Sequence, residues 1–448
     1  MSSPKNVLLI NPWIYDFTAY DFWLRPLGFL TVAAVLRENA DCRLRLVNCL
    51  DRGHPRLGSR RRSRPDGRGP FPKTEVVKPG PLRNVPRRYS RYGIPEEAFL
   101  DDLDRSPRPD VVLMTCMMTY WYPGVQRACR LVREKWGSVP IVLGGLYATL
   151  APEHARSQSG ADVVVEGPGE NRILPVLRDI LGDGTVRPRE YGSLEELPVP
   201  AFELLESRET LPLLTSRGCP FRCSFCGTPV LFSRLEQRSP RSVIAEVADD
   251  ILRWGARNIA FYDDALLANK KSHIIPILEG VAERALPVSF HTPNGLHVRE
   301  VDGRLASLFR RAGVRSVYLS QESFDRPLLD RACPKVSPDD LGTALSHLRA
   351  AGYAREDINV YLIVGLPRQD AALVCEGIRA VRRLGAKPRL AFFSPVPGTE
   401  EWRRTVASGR LPENADPLLH NKLAFAYLWG DSERRSFEAY KSALTESL

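Results

Sequence analysis

Ser216-Arg-Gly-Cys219-Pro-Phe-Arg-Cys223-Ser-Phe-Cys226-Gly-Thr-Pro229 sets three thiols within eight residues, spaced CxxxCxxC, in a chain of 448 residues. Gly218 and Pro220 keep the first thiol out of a helix, so the three can converge on one point. A cubane iron-sulfur cluster bound by cysteine alone takes four thiolates, and three protein ligands leave one iron open to a substrate or cofactor. A structural zinc site would be incomplete, because no fourth Cys or His follows at zinc spacing and the nearest histidine downstream is His273. The chain has nine cysteines, an odd number that argues against a disulfide framework. Cys42, Cys49, Cys116, Cys129, Cys333 and Cys375 are scattered and read as small buried hydrophobes.

Around this loop the pattern is β/α. Leu211 to Thr215, Asn258 to Tyr262, Val288 to His291, Ser316 to Leu319, Asn359 to Val364 and Arg389 to Phe393 read as strands, with helical patterns between them. Six such units in a row predict a barrel or an incomplete one, whose chemistry sits just after the strands. Those positions hold the cysteine loop, Asp263-Asp264, His291 to Asn294, Glu322, Gly365-Leu366-Pro367 and Ser394-Pro395.

Ahead of it, Asn6 to Ile10, Arg43 to Val47, Asp110 to Met114, Pro140 to Leu143 and Asp162 to Val165 read as buried strands alternating with amphipathic helices. That alternation predicts a parallel sheet covered on both faces, with ligands at the carboxyl ends of its strands. Asn11-Pro12, Thr115 onward, Gly144-Gly145 and Glu166-Gly-Pro-Gly-Glu170 fall at those ends.

The cysteine loop resembles the cluster motif of the radical S-adenosylmethionine (SAM) superfamily, and Asn294 to Arg299, Gln321-Glu-Ser323, Ile363 to Pro367 and Ser394 to Thr399 follow in the order of that superfamily. The resemblance covers about Pro212 to Glu400 and implies a 4Fe-4S cluster on Cys219, Cys223 and Cys226 whose open iron chelates SAM. It further implies that Phe225 and Gly227 lie by SAM, that Asp263, Asn294, Arg299 and Glu322 face it, and that the segment with Ile363, Gly365 and Leu366 packs on its adenine. Read from the residues alone, Arg299 is equally a surface arginine and Glu322 equally a member of an ion pair inside the barrel.

The first half resembles the cobalamin-binding domain that precedes the barrel in one class of these enzymes, through Asn11-Pro12, Arg25 to Leu36, Gly144 to Thr149 and Gly167 to Glu170. The resemblance implies cobalamin contacts at Asn11, Pro12, Leu27, Gly28, Thr115, Thr119, Tyr120, Gly144, Gly145, Gly167 and Glu170. Two departures stand out. The Asp-x-His-x-x-Gly motif is absent, Asp51-Arg-Gly-His54 having the wrong spacing, and Tyr147 stands where many relatives have His. Cobalamin is therefore expected without a protein histidine on its lower face, where Thr119-Tyr-Trp-Tyr-Pro123 could cover it.

The expected organisation is an α/β protein with a flavodoxin-like, Rossmann-like cobalamin domain over 1–195, a partial (β/α)6 barrel over 196–400 and a helical extension over 401–448. The formal charge is +10 and concentrates between Arg52 and Arg108, where 15 Lys or Arg face 7 Asp or Glu among nine prolines. That segment reads as an irregular, solvated insert rather than a nucleic-acid or anion-binding arm. Val85 to Tyr92 within it could reach an anionic substrate through Arg87 and Arg88. The apolar run from Val7 to Ile10 is too short for a signal peptide and Leu27 to Leu36 too short to span a bilayer, which reads as cytoplasmic with no membrane span.

By resemblance the reduced cluster cleaves SAM to a 5'-deoxyadenosyl radical that abstracts hydrogen from substrate, methylcobalamin delivers a methyl group, and a second SAM remethylates cobalt. An external electron donor of flavodoxin or ferredoxin type is implied. The absence of a recognisable peptide-binding or RNA-binding appendage directs the reading to a small molecule or lipid substrate and away from nucleic acid. A cobalamin-dependent rearrangement or cyclisation is the nearest alternative. An RNA methylthiotransferase ranks below it, because that family carries three further cluster cysteines in its N-terminal domain. A cofactor carrier without catalysis would keep both domains and lack the chemistry.

Overall fold

Runs of consecutive apolar residues bury both faces of a strand, and parallel sheets covered by helices on both sides are built from them. Three such strands, β1 (Lys5–Asn11), β3 (Val111–Cys116) and β4 (Ile141–Gly145), and the less buried edge strands β2 (Cys42–Asn48) and β5 (Val163–Val164) pair in the order β5-β4-β3-β1-β2, all parallel. That order reverses direction between β1 and β3, the flavodoxin-like arrangement, and opens a crevice at their carboxyl ends. Helices α1 (Leu27–Asn39), α2 (Glu96–Asp104), α3 (Tyr122–Trp136) and α4 (Ile173–Leu181) belong to the same unit, with Phe29, Ala33, Leu36, Ile173 and Leu177 in its core.

The computed structural model describes residues 3–60, 64–182, 184–428 and 431–446. They form two compact units, Met1–Arg208 with Ala415–His420, and Glu209–Asn414 with Asn421–Leu448. The first unit runs past residue 195 because Ala201 and Phe202 are fully buried, the Ala201 N–H donates to the Leu30 carbonyl, and Arg37 pairs with Glu203 at 2.6 Å.

The segment from Arg52 to Arg108 corrects the expectation of an irregular solvated insert. Ser90–Tyr92 pairs antiparallel with both Ile14–Asp16 and Lys73–Glu75, and Leu57, Phe71, Leu82, Val85, Tyr89, Tyr92 and Ile94 are buried. Arg52 is itself buried against Asp21 at 2.7 Å, and Asp21 also holds Arg25 at 3.1 Å. Residues 61–63 of this segment lie outside the described ones. Arg88 stays exposed, 3.7 Å from Glu75.

In the second unit six parallel strands pair in chain order: β6 (Thr210–Leu213), β7 (Asn258–Phe261), β8 (Ser289–His291), β9 (Val314–Glu322), β10 (Ile358–Val364) and β11 (Lys387–Phe392). Among the described residues the end strands β6 and β11 do not pair, so the sheet stays open. Helices α5 (Pro240–Trp254), α6 (Ile274–Glu283), α7 (Gly303–Arg311), α8 (Arg326–Ala332), α9 (Asp340–Ala350) and α10 (Ala371–Arg383) connect the strands. Their starts are written in the sequence: Ser239, Asp302, Asp325 and Asp370 each accept a backbone N–H from the first turn of the helix that follows. After α11 (Glu400–Ala407) the chain ends in α12 (Asp431–Thr445), which packs on α10 through Arg379 to Glu446 and Arg382 to the Ala443 carbonyl. No helix of the described residues is long and apolar enough to cross a membrane.

One buried group in this unit works against folding at high pH. Asp250 on α5 has no exposure, and neither carboxyl oxygen has a hydrogen-bond partner. Burial first, then the charges of Glu246 and Asp249, push it up to about 8 against the pull of Arg238. Folding therefore takes up a proton, and the stability linked to this group is lost as pH rises from the ordinary carboxylate range through about 8. We predict that Asp250→Asn matches wild type in chemical denaturation near pH 5 and exceeds it by roughly 1–3 kcal/mol near pH 9; equal stabilities at both pH values would contradict the assignment.

Candidate active site

The cysteine loop has almost no secondary structure of its own, so its shape is imposed by the segments around it. At its base Ser216 and Arg217 pair antiparallel with Gln237 and Glu236. Gly218 has φ +85, and a Cβ there would meet the Arg234 carbonyl oxygen at 2.2 Å, so only glycine fits this turn. Asp263, just after β7, lies beneath: its Oδ1 accepts from the hydroxyls of Thr215 and Ser216, both at 2.6 Å, and its Oδ2 accepts from the Thr215 N–H at 3.2 Å. The Thr215 hydroxyl oxygen also lies 2.8 Å from Nε2 of His273. Burial pushes Asp263 up to about 6 against these donors, and burial also holds His273 down to about 4, in its neutral form. Asp264 accepts from the Gly218 N–H and the Thr228 hydroxyl, both at 3.1 Å, tying the two ends of the loop together.

The middle of the loop is fixed at Ser224. Its N–H donates to the Ala332 carbonyl and its carbonyl accepts from the Glu401 N–H, both at 3.0 Å, while its hydroxyl donates to Glu401 Oε1. The three thiols lie in one another's fields. Burial raises Cys219 and Cys226, whereas a hydrogen bond with Cys333 at 3.4 Å, aided by the charge of Lys335, holds Cys223 below its ordinary value. Burial pulls Lys335 down, but Glu322 and then the thiols of Cys223, Cys333 and Cys219 more than offset it, so the ammonium stays charged. Its Nζ also lies 5.8 Å from the Phe221 ring centroid. Three soft thiolates on a short constrained loop, with a cation beside them and no fourth cysteine in the loop, are a donor set suited to a cluster with one open iron.

The other expected residues divide by place. Phe225 packs in one apolar cluster with Ile363, Leu366, Phe393 and Phe425. The glycine turn that follows β10 is held by Gln369, whose Oε1 accepts from the N–H groups of Gly365 and Leu366 at 2.8 and 3.2 Å. Gly227 is half-buried, and a Cβ there would meet Val396 at 3.1 Å. Glu322 ends β9 at φ +64, where the pairing with β10 shifts register. The Asn294 amide donates to the carbonyls of Tyr262 and Asp263 at 2.8 and 3.3 Å, joining two strand ends. Arg299 is half-exposed and pairs with Asp340 at 3.1 Å, the surface arrangement that the residue alone allowed. Cys333 and Lys335 escaped the sequence reading, since nothing at positions 110 residues away marks them as neighbours of Cys223.

In the first unit the expected residues lie at or after the carboxyl ends of β1, β3, β4 and β5 and in the first turn of α1. Asn11 and Pro12 are buried, with the Asn11 amide donating to Asn48 at 2.8 Å across the ends of β1 and β2. Leu27 is buried while Gly28, in the first turn of α1, faces open space. Thr115 abuts Gly145, and the Thr149 hydroxyl joins that loop to the next by donating to the Gly145 carbonyl and accepting from the Gly167 N–H, both at 2.9 Å. Gly144 is half-buried and Glu170 is buried. Thr119 and Tyr120 are buried, and Met118 beside them is 40% exposed. The Thr119 hydroxyl lies 3.0 Å from Nδ1 of His420, in the Ala415–His420 segment that folds into this unit. Tyr147 has its hydroxyl 2.7 Å from His154 and stacks on Tyr122, which in turn donates to Asp416 at 3.1 Å. His54 is turned to Asp102 at 3.1 Å. Glycine turns at the carboxyl ends of β4 and β5, beside a strand-order reversal between β1 and β3, fit a large planar ligand.

The radical SAM superfamily model matches residues 213–381, and the B12 binding domain model matches residues 88–176. The chain belongs to the B12-binding radical SAM enzymes. Its cofactors are accordingly a 4Fe-4S cluster, SAM and cobalamin. An uncharacterized methyltransferase of Pyrococcus horikoshii is 26% identical over 352 residues, covering 71% of this chain and 75% of the relative. The anaerobic magnesium-protoporphyrin IX monomethyl ester cyclase of Rubrivivax gelatinosus is 24% identical over 312 residues, covering 61% of this chain and 54% of the relative. The solved structure of the radical SAM methyltransferase TsrM from Kitasatospora setae has the same fold, with a TM-score of 0.65 at 16% identity over 90% of this chain and 76% of that one. The distant relatives of this B12-binding radical SAM enzyme are mostly methyltransferases, with the cyclase, from two organisms, among them.

If Asp263 sets the shape of the cysteine loop, Asp263→Ala strands two hydroxyls and a backbone N–H. The expected outcome is a loss of roughly 2–4 kcal/mol in denaturation of the cluster-free protein, together with fewer irons per chain after reconstitution. Full stability and full iron loading would show that the loop is held by other contacts.

Proposed function

We propose that this chain is a C-methyltransferase that uses a 5'-deoxyadenosyl radical to open a carbon-hydrogen bond of a small molecule or lipid. The observation that carries the reading is the cysteine loop and the flavodoxin-like crevice in one chain, in a family whose relatives here are mostly methyltransferases. When bound, the cluster, SAM and cobalamin would supply reductive SAM cleavage and a methyl group carried on cobalt.

The chain's own part is alignment and exclusion of water. Cys219, Cys223 and Cys226 would hold three irons of the cluster. Lys335, a cation among those thiols, offers a partner for the carboxylate of SAM, and Phe225 with Ile363 and Leu366 offers an apolar face for adenine. Glu322, at a strained backbone position beside Lys335, would receive the amino group or ribose of SAM. In the other unit Asn11, Gly28, Thr115, Gly145 and Gly167 would line the cobalamin crevice, with Met118 as an apolar contact for the corrin. The tryptophan bound to TsrM supports a small-molecule substrate.

The cyclase relative favours a second reading, in which cobalamin assists a rearrangement and no methyl leaves SAM. The two differ in what SAM becomes. The protein, reconstituted without oxygen and given SAM and a strong reductant, should bind iron and cobalamin and release 5'-deoxyadenosine. With substrate, a methyltransferase also releases S-adenosylhomocysteine in step with product, whereas a cyclase releases none. Cys223→Ala should keep cobalamin and lose both the cluster and 5'-deoxyadenosine; SAM cleavage surviving in that variant would sink the proposal.

A further inference from the structure

Cys333 is 1% exposed, and its sulfur lies 3.4 Å from that of Cys223, which is 9% exposed. The closeness is built into the backbone. The Cys333 N–H donates to the Leu329 carbonyl at 2.8 Å at the end of α8, and the residue before it, Ala332, accepts the Ser224 N–H at 3.0 Å. Residues next to both cysteines are thus joined by a main-chain hydrogen bond, and Glu401 holds Ser224 from its other side. The remaining scattered cysteines have no such relation to the loop: Cys116 donates to the Met118 carbonyl and Cys129 to the Met114 sulfur.

We infer that Cys333 donates its S–H to the sulfur of Cys223 and thereby raises the reduction potential of the cluster that this loop holds. A cysteine that ligates iron is a thiolate with no proton to give, so the hydrogen bond can run in one direction only, from Cys333. A donor to a ligating sulfur favours the more negative, reduced state of a cluster, and such hydrogen bonds are among the factors that set its potential. The site is dry on both sides of the contact, which strengthens the effect. Cys333 is not positioned as a fourth ligand: cysteines on different irons of a cubane stand much farther apart than the 3.4 Å between these two sulfurs. Cys333 is a positioning residue, acting on the cluster through the Cys223 sulfur.

The inference rests on the assignment of the cluster to Cys219, Cys223 and Cys226, and the test separates the two. Wild type, Cys333→Ser and Cys333→Ala are reconstituted as full chains, assayed for iron and sulfide, and titrated against potential with the reduced cluster followed by EPR. The expected result is equal iron in all three and, at a fixed potential, a reduced-to-oxidised ratio about tenfold lower in Cys333→Ala, or about 59 mV for one electron. Cys333→Ser, whose hydroxyl still donates, should stay near wild type. Equal potentials with full clusters would overturn the inference and leave the cluster assignment standing. Loss of iron in Cys333→Ala would overturn it in favour of a ligand role. A wild-type chain that takes up no cluster would overturn the assignment itself, and this inference with it.

Discussion

The buried carboxylate of Asp263, receiving the hydroxyls of Thr215 and Ser216, is the contact on which the cysteine loop depends. A loop of irregular backbone gives up conformational freedom without the repeating hydrogen bonds of a helix or strand to offset it. Here the compensation comes from outside the loop: Asp263 and Asp264 at its base, Glu401 and Ala332 at its middle, and the Arg234 backbone against Gly218. An ionisable group as buried as Asp263 is costly unless it is fully hydrogen-bonded. It is fully hydrogen-bonded by the residues that lead into the first cysteine. The cost of burying the acid and the order of the loop are therefore one and the same constraint.

Both units keep their chemistry at the carboxyl ends of parallel strands, and the reason is common to both. Strands covered on both faces have no surface except their ends on which polar groups can meet a ligand. β3 is buried along its whole length, and exposure begins only in the loop that follows, at Met117 and Met118. β9 is buried from Val317 to Gln321, and its last residue, Glu322, sits at positive φ where the ladder with β10 slips. A non-glycine residue in that region is strained and persists where the surroundings impose it. Burial raises the Glu322 carboxyl above its ordinary value, and the charge of Lys335 works against that rise.

Much of this was legible in the chain itself. All eleven major strands overlap the segments that read as strands in the sequence, and Ser239, Asp302, Asp325 and Asp370 mark helix starts as cap residues should. The cysteine spacing needs no tertiary context. What stayed hidden depends on pairings distant in sequence. A carboxylate after a strand looks the same whether it faces a ligand or, like Asp263, the hydroxyls of a neighbouring loop. Arg299 looks the same whether or not Asp340 is nearby. The basic, proline-rich segment misled because its strands are two or three residues long, below the length at which alternation can be read, and because Arg52 is buried by an acid 31 positions earlier. His420 joins Thr119 across 301 positions, a contact no local pattern announces.

The stretch from Glu322 to Lys335 is the other half of the cluster site, and electrostatics explains why one is needed. Three thiolates on one short loop repel one another, and burial sharpens the repulsion because little solvent screens it. Burial first, and the neighbouring thiols after it, hold Cys219 and Cys226 above their ordinary value. The loop carries Arg217 and Arg222, but the cation that acts on Cys219 and Cys223 is Lys335, brought in by the turn after α8. The same turn delivers Cys333 to Cys223. The ligands and the groups that balance their charge therefore come from separate segments, so charge at the site can change through Lys335 or Cys333 while the cysteine spacing remains fixed.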